Sequence, residues 1–338
     1  MSRAVKNKLG LILGLLVSVG CLALVTRNIH LDAVAQAVTQ ADPLWLAAGI
    51  LLTVGGIFLR AARWVGLFTP QRLPFAPTFD ALSVGYLVSN LLPARLGDVA
   101  RIFLIGDWAG ANRAHALATV IVERVMDMTV ILALLVGLMP WLQLPAWAVR
   151  SAQGAALAVI VAVLLLWLAA GRGEEGSRLV ERILGRLPRV DAARWAGIVL
   201  DWSARLRLLR TLHPGLTMLA LTAVIWIEGA LSYYAVLRAF HLPVGPLSAV
   251  FVLCVEALGM AVPSSPGNVG VFEYAGVAAL SIFQAEPAVA LAAVLTLHAV
   301  VYLSLSGAGL LSLWRRSLSY GGLMARVEGR GAPLEIVH

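Results

Sequence analysis

Six runs of apolar residues, at 9–25, 44–68, 116–139, 148–169, 214–238 and 288–313, are each about as long as a bilayer-crossing helix requires. Two further apolar regions, 78–106 and 246–282, are broken in the middle, the first by "LLPARLGDVAR" and the second by "VPSSPGNVG". Their halves are short for full crossings. Non-helical backbone survives at membrane depth only where protein buries it or where it lines a cavity. Each broken region is therefore expected to be a re-entrant helical hairpin. The composition agrees: 60% of the residues are hydrophobic and 13% charged, with mean hydropathy +0.87, whereas soluble domains are about 25% charged.

The net charge of +8 does not point to nucleic acid, because the basic residues lie between apolar spans. Nine arginines fall between 170 and 213, the N-terminus carries Arg3, Lys6 and Lys8, and the tail carries Arg315, Arg316, Arg326 and Arg330. Six crossings and two re-entrant hairpins put all three basic segments on one side, which the positive-inside rule makes cytoplasmic. Both termini are then cytoplasmic, and 26–43, 139–147, 239–245 and 283–287 are outer loops nearly free of Lys and Arg. The run from Leu9 to Val25 is longer than a signal-peptide core and has no A-x-A site, so it reads as a retained first span. Apolar residues recur at helical spacing among the arginines of 171–213, as in a helix lying on the cytoplasmic membrane surface. Cys21 and Cys254 both sit in apolar stretches and suggest neither a disulfide nor a metal site.

The two broken turns share a spacing. Pro93, Gly97, Asp98 and Val99 recur 170 residues later as Pro263, Gly267, Asn268 and Val269. The same offset maps span 44–68 onto 214–238 and 116–139 onto 286–309. A unit at 44–139 and a second at 214–313 are thus expected to form an inverted repeat, as in alternating-access transporters. The fold class expected is an all-α polytopic membrane protein of about six full spans plus two re-entrant hairpins, in a single transmembrane domain.

Charges at membrane depth mark candidate function, since each costs roughly 3 kcal/mol or more unless paired or placed in a polar cavity. Around the first turn stand Arg95, Asp98 and Arg101, and the following span carries Glu123, Arg124 and Asp127. A structural ion-pair network and direct substrate contact both remain open for these residues. Arg60 joins the candidate binding set, while Arg63 is expected to snorkel to the interface. Arginine grips phosphate bidentately, and the helix N-terminus near Asp98 favours an anion. The expected ligand is an anionic lipid headgroup. The second unit supplies Glu228, Glu256, Glu273 and His298, with Ser264, Ser265 and Asn268 at its turn. For the serines helix capping is the simpler role. A carboxylate in hydrocarbon favours its protonated form, so protonation of Glu256 or Glu273 is a candidate accompaniment to transport. The chain has no G-x-S-x-G, P-loop, H-E-x-x-H or aspartate-rich metal motif, so neither an enzyme nor a cofactor is expected.

The stretches "FLRAARW", "NLLPARLGDVAR", "VERVMD" and "PSSPGNVGVFE" resemble the lysylphosphatidylglycerol synthase transmembrane region family. This flippase-like membrane domain also forms the N-terminal part of the multiple peptide resistance factor. The resemblance covers about 9–313. In the family's last span an Arg stands four residues before a Tyr; here His298 takes that place before Tyr302. The resemblance implies translocation or binding of a phospholipid or polyprenyl-linked lipid in a bacterial inner membrane. It does not imply synthesis of lysylphosphatidylglycerol. A non-transporting partner or regulator of a lipid- or glycan-modifying enzyme is the alternative, and a homo-oligomer or a membrane enzyme is the expected protein partner.

Overall fold

The computed structural model describes residues 3–27, 29–69, 71–92, 96–142, 212–260 and 264–316, with single residues between 149 and 185. Among the described residues there are ten α-helices, one short 3-10 turn and no strand. In chain order the helices are α1 (Arg3–Thr26), α2 (Leu31–Thr39), α3 (Pro43–Leu67), α4 (Phe75–Leu91), α5 (Leu96–Ala109) and α6 (Arg113–Leu138), followed by α7 (Leu212–Ala239), α8 (Pro246–Gly259), α9 (Val271–Ser281) and α10 (Pro287–Arg315). The 3-10 turn, Pro266–Asn268, lies between α8 and α9.

Local chemistry fixes several helix starts. Asp42 caps α3, its Oδ1 accepting from Leu44 N at 2.8 Å, with Pro43 in the first turn. Asn112 caps α6 through Ala114 N at 2.9 Å and His115 N at 3.1 Å. Glu286 accepts from Ala288 N and Val289 N at 3.1 and 3.0 Å, ahead of Pro287 at the start of α10. Each cap satisfies amides that the helix cannot, and a first-turn proline gives up an N–H that would have had no partner.

Three helical stretches, Pro43–Leu67, Gly215–Ala239 and Pro287–Arg315, are long and apolar enough to cross a bilayer. Only 22%, 28% and 44% of their most apolar windows is buried within the protein, and Leu44, Leu51, Phe58, Leu216, Ile227, Leu303 and Leu310 face outward. So much outward apolar surface fits lipid, not water, as the solvent. The chain is a multi-pass membrane protein, all-helical among its described residues. α6 has the length of a span at 26 residues, but Glu123, Arg124 and Asp127 interrupt its apolarity. The run expected as the first span falls within α1, which passes as a span only when taken together with α2. The stretch 26–43, expected to be a loop, instead contains α2, set at 82° to α1 and resting on α10 with Val34 buried. Its nine residues were too few to register as a span, and they form a helix because α10 offers their apolar face a partner. The span expected at 148–169 and the amphipathic segment at 171–213 fall outside the described residues.

At the centre α3 and α7 run antiparallel in close contact. Thr53 Oγ1 and Ser232 Oγ lie 2.8 Å apart, and both hydroxyls donate to Gly49 O at 2.9 Å. Small residues let backbones approach this closely between membrane helices. α4 and α5 form an antiparallel hairpin, crossing where Gly85 meets Gly97 with Ser89 alongside. α8 and α9 form a second hairpin, with Gly259 against Ala275. α4 packs on α10, and α8 packs on α6.

Each hairpin has its own apolar core. One gathers Trp64, Phe68, Leu82, Leu87, Leu104 and Ile105; the other gathers Val236, Leu237, Phe251, Val252, Leu291 and Val294. α6 passes from the first, with Ala116 and Val120, to the second, with Ile131 and Leu135. Glu123, Arg124 and Asp127 occupy the interval between them.

Candidate functional site

In that interval three arginines and three carboxylates alternate in a closed ring. Arg63 on α3 binds Asp127 at 2.6 Å, and Asp127 lies 3.9 Å from Arg124. Arg124 binds Asp98 on α5 at 2.9 Å, and Asp98 binds Arg101 at 2.9 Å. Arg101 binds Glu123 at 3.2 Å, and Glu123 returns to Arg63 at 3.5 Å. Helical spacing builds the ring: on α6 Asp127 lies one turn from both Glu123 and Arg124, as Arg101 lies one turn from Asp98 on α5.

Polar neighbours hold the inner members. Arg63 also donates to Thr222 Oγ1 at 3.2 Å, and Trp226 Nε1 donates to Asp127 Oδ1 at 3.1 Å. The Arg101 guanidinium lies 5.0 Å from the Trp64 ring, whose Nε1 donates to Thr119 Oγ1 at 3.0 Å. The three arginines balance the three carboxylates, so the ring is formally neutral. Burial of so many charges is tolerable only because each has a partner.

The ring is closed at one side and open at the other. Side-chain exposure is 2% for Arg63 and Arg101 and 4% for Glu123, but 23% for Asp98 and 39% for Arg124. The Nε atoms of Arg63, Arg101 and Arg124 are all buried and meet no acceptor among the described residues, so the open edge of Arg124 is its terminal guanidinium. A phosphate reaching this edge could replace the Asp98 oxygens on Arg124 without opening the inner pairs. Arg60, 31% exposed, lies 3.8 Å from Glu228, whose two oxygens accept no hydrogen bond among the described residues.

The structure corrects the expectation for Arg63. It does not snorkel; it is 2% exposed and joins Glu123 to Asp127. Its place three residues after Arg60 looked interfacial, and the signal overlooked was the pair of carboxylates on α6 that needed a second arginine. Arg95 lies outside the described residues, as do Pro93, Ala94 and Pro263.

The second group sits at the other turn. Ser264 Oγ donates to Asn268 Oδ1 at 2.9 Å and Ser265 Oγ to Val269 O at 3.1 Å, so both serines are engaged within the turn. Gly267, Asn268 and Gly270 all have positive φ, at 69°, 58° and 89°. Glu273 Oε2 accepts from Gly270 N at 2.6 Å, and its Oε1 lies 2.6 Å from His298 Nδ1. His298 Nε2 lies 2.9 Å from Gly267 O, and the ring stacks on Phe272. The two turns meet through Asn90, which donates to Tyr302 O at 3.2 Å and to Ser306 Oγ at 2.9 Å, while Gly267 lies against the Tyr302 ring. Glu256 is fully buried beside Gly276, with the Tyr233 hydroxyl its polar neighbour. Sequence reading named Glu273 and His298 separately; only the fold of α9 against α10 pairs them.

The family model for the lysylphosphatidylglycerol synthase TM region matches residues 11–309. A UPF0104 membrane protein of Methanothermobacter thermautotrophicus is 23% identical over 323 residues, covering 88% of this chain and 94% of that protein. The glycosyltransferase AglD of Haloferax volcanii is 26% identical over 334 residues, covering 88% of this chain, which spans about half (53%) of AglD's length. No solved structure matches. With the model covering nearly the whole chain, from the first helix through both hairpins into the last span, the protein belongs to the lysylphosphatidylglycerol synthase transmembrane-region family.

Proposed function

We propose that this chain is a flippase-like transporter that passes a phosphate-bearing lipid, a phospholipid or a polyprenyl-linked lipid, across the cytoplasmic membrane. It acts as a carrier and not as an enzyme. The observation that carries this reading is the charge ring open at Arg124 and Asp98. A headgroup would exchange with one exposed contact while the buried pairs keep the scaffold rigid. Arg60 and Arg124 are the phosphate-facing members, Arg101 and Glu123 the inner support.

Several features support an inverted repeat with re-entrant hairpins. At about 1.5 Å per residue, none of α4, α5, α8 and α9 reaches the roughly 30 Å of hydrocarbon; the longest has 17 residues. α3 and α7, equivalent by the 170-residue offset, pair antiparallel with residues 57 and 227 near the middle of their contact. The first arm of each hairpin packs on the last helix of the other unit, α4 on α10 and α8 on α6. The basic segments favour a topology with both termini cytoplasmic.

In a protein lacking Cys21 and Cys254, Ala94→Cys should resist an impermeant thiol reagent added outside intact cells, and Ser264→Cys should react. Labelling of both from one side would mean that one hairpin crosses fully and would remove the repeat. For transport, the protein in liposomes containing fluorescent phosphatidylglycerol should speed the loss of inner-leaflet dye protection. Arg124→Gln should slow it severalfold while the melting temperature stays near that of the parent. No acceleration over empty liposomes, with either that probe or a fluorescent polyprenyl phosphate, would defeat the transport reading.

A second reading has its own support. AglD, of which this chain resembles about half, is named a glycosyltransferase. The chain would then be a non-transporting membrane partner of a lipid- or glycan-modifying enzyme, and lipid would bind without crossing.

A further inference from the structure

Both ring nitrogens of His298 face acceptors. Nε2 lies 2.9 Å from Gly267 O, a carbonyl that can only accept, so Nε2 carries a hydrogen. Nδ1 lies 2.6 Å from Glu273 Oε1. A bare Nδ1 and an ionised carboxylate would set two lone pairs against each other at that distance, so a proton must lie between them. We infer that His298 and Glu273 form a binding site for one proton, and that this proton latches the second hairpin turn to the last span.

Binding is a simple balance. The empty pair, neutral His298 with ionised Glu273, carries one negative charge. Taking up a proton from water makes the pair neutral and forms the Nδ1–H–Oε1 bridge. The consequence is mechanical because both residues also hold the turn. Glu273 Oε2 accepts from Gly270 N at 2.6 Å, and His298 reaches Gly267 O, so the pair ties two left-handed glycines, at φ 69° and 89°, to α10. Loss of the proton leaves the imidazole one N–H for two acceptors, so either the Glu273 or the Gly267 contact opens and the tie is released.

The surroundings leave the pair as the switch. Glu256 comes from α8, buried and within electrostatic reach of Glu273, and Tyr302 lies one turn along α10 from His298. α1 faces the turn with Ser18, whose hydroxyl accepts from Ser265 N at 2.9 Å, and α4 faces it with Asn90, neither of which titrates. His298 is the more exposed partner, 12% at its side chain against 3% for Glu273. The site deepens the transport reading, on which its role as a coupling step rests, but the latch itself is tested without transport.

The test uses the full chain without Cys21 and Cys254, carrying either Ser264→Cys or, as a reference, Val269→Cys at a 45% exposed position of the same turn. The ratio of maleimide rates at 264 and 269 cancels the intrinsic ionisation of thiols. As the pH is raised this ratio should rise severalfold. Glu273→Gln should hold it low and flat, since a glutamine amide donates to Nδ1 and accepts from Gly270 N with no extra proton. His298→Ala should hold it high and flat. A flat ratio in the parent protein, or an equal slope in Glu273→Gln, would overturn the site. Should the variants not fold, 15N-histidine spectra of the unmodified protein decide: a bare Nδ1 on His298 at every pH would also overturn it. Neither readout depends on whether any lipid crosses.

Discussion

Arg63→Ala should remove about 3–5 kcal/mol of stability, because it leaves two carboxylates buried with one partner fewer. Asp127 would lose its 2.6 Å contact and Glu123 one of its two arginines. Thermal unfolding of the detergent-solubilised protein, followed by size-exclusion chromatography, is the measurement. The double variant Arg63→Met with Asp127→Leu should recover a large part of the loss, since the four remaining charges of the ring again balance. Arg124→Gln, at the exposed edge, should cost far less, as exposed ion pairs contribute little. Equal melting of Arg63→Ala and the parent would mean that the ring does not hold α3, α5 and α6 together.

Gly97→Ala is the second large effect expected. Its methyl group would run into the Gly85 carbonyl and the Ser89 side chain, where α4 and α5 cross. A backbone oxygen cannot swing aside as a long side chain can, so the hairpin must spread. Overpacking of this kind costs about 1–3 kcal/mol and sometimes more. Gly137→Ala is the matched control: nothing lies within 4 Å of the added carbon, and alanine in a helix is favoured over glycine by about 0.5–1 kcal/mol. Melting of the two variants side by side should therefore give opposite signs. If Gly97→Ala melts with the parent, the close crossing of the first hairpin is wrong.

The broken hairpins were legible in the sequence because proline and glycine at membrane depth have few other uses, and the 170-residue offset aligned their turns. The carboxylates of α6 were legible for the same reason: charge in an apolar run demands a partner. Which arginines answer them was not. Arg63 sits 64 positions from Asp127, and only the crossing of α3 with α6 brings them to 2.6 Å. His298 and Glu273 were each conspicuous, yet their pairing depends on α9 folding back beside α10, a contact with no local signature. α2 escaped notice because nine residues with one buried valine carry too little pattern to separate from a loop.

On the transport reading, the balance of the ring would govern how an anion leaves as much as how it arrives. Three positive and three negative charges, interleaved at 2.6–3.9 Å, form a multipole whose potential fades much faster with distance than that of a bare cationic patch. A passing headgroup would be drawn only over the last few ångströms, and only at the edge where Arg124 is within reach. A cluster of unpaired arginines would pull from farther away and then hold on, turning a route into a trap. Ordinary salt, which screens over about 8–10 Å, would have little long-range attraction here to weaken. If the chain carries lipid as proposed, passage should therefore change little between dilute and concentrated buffer.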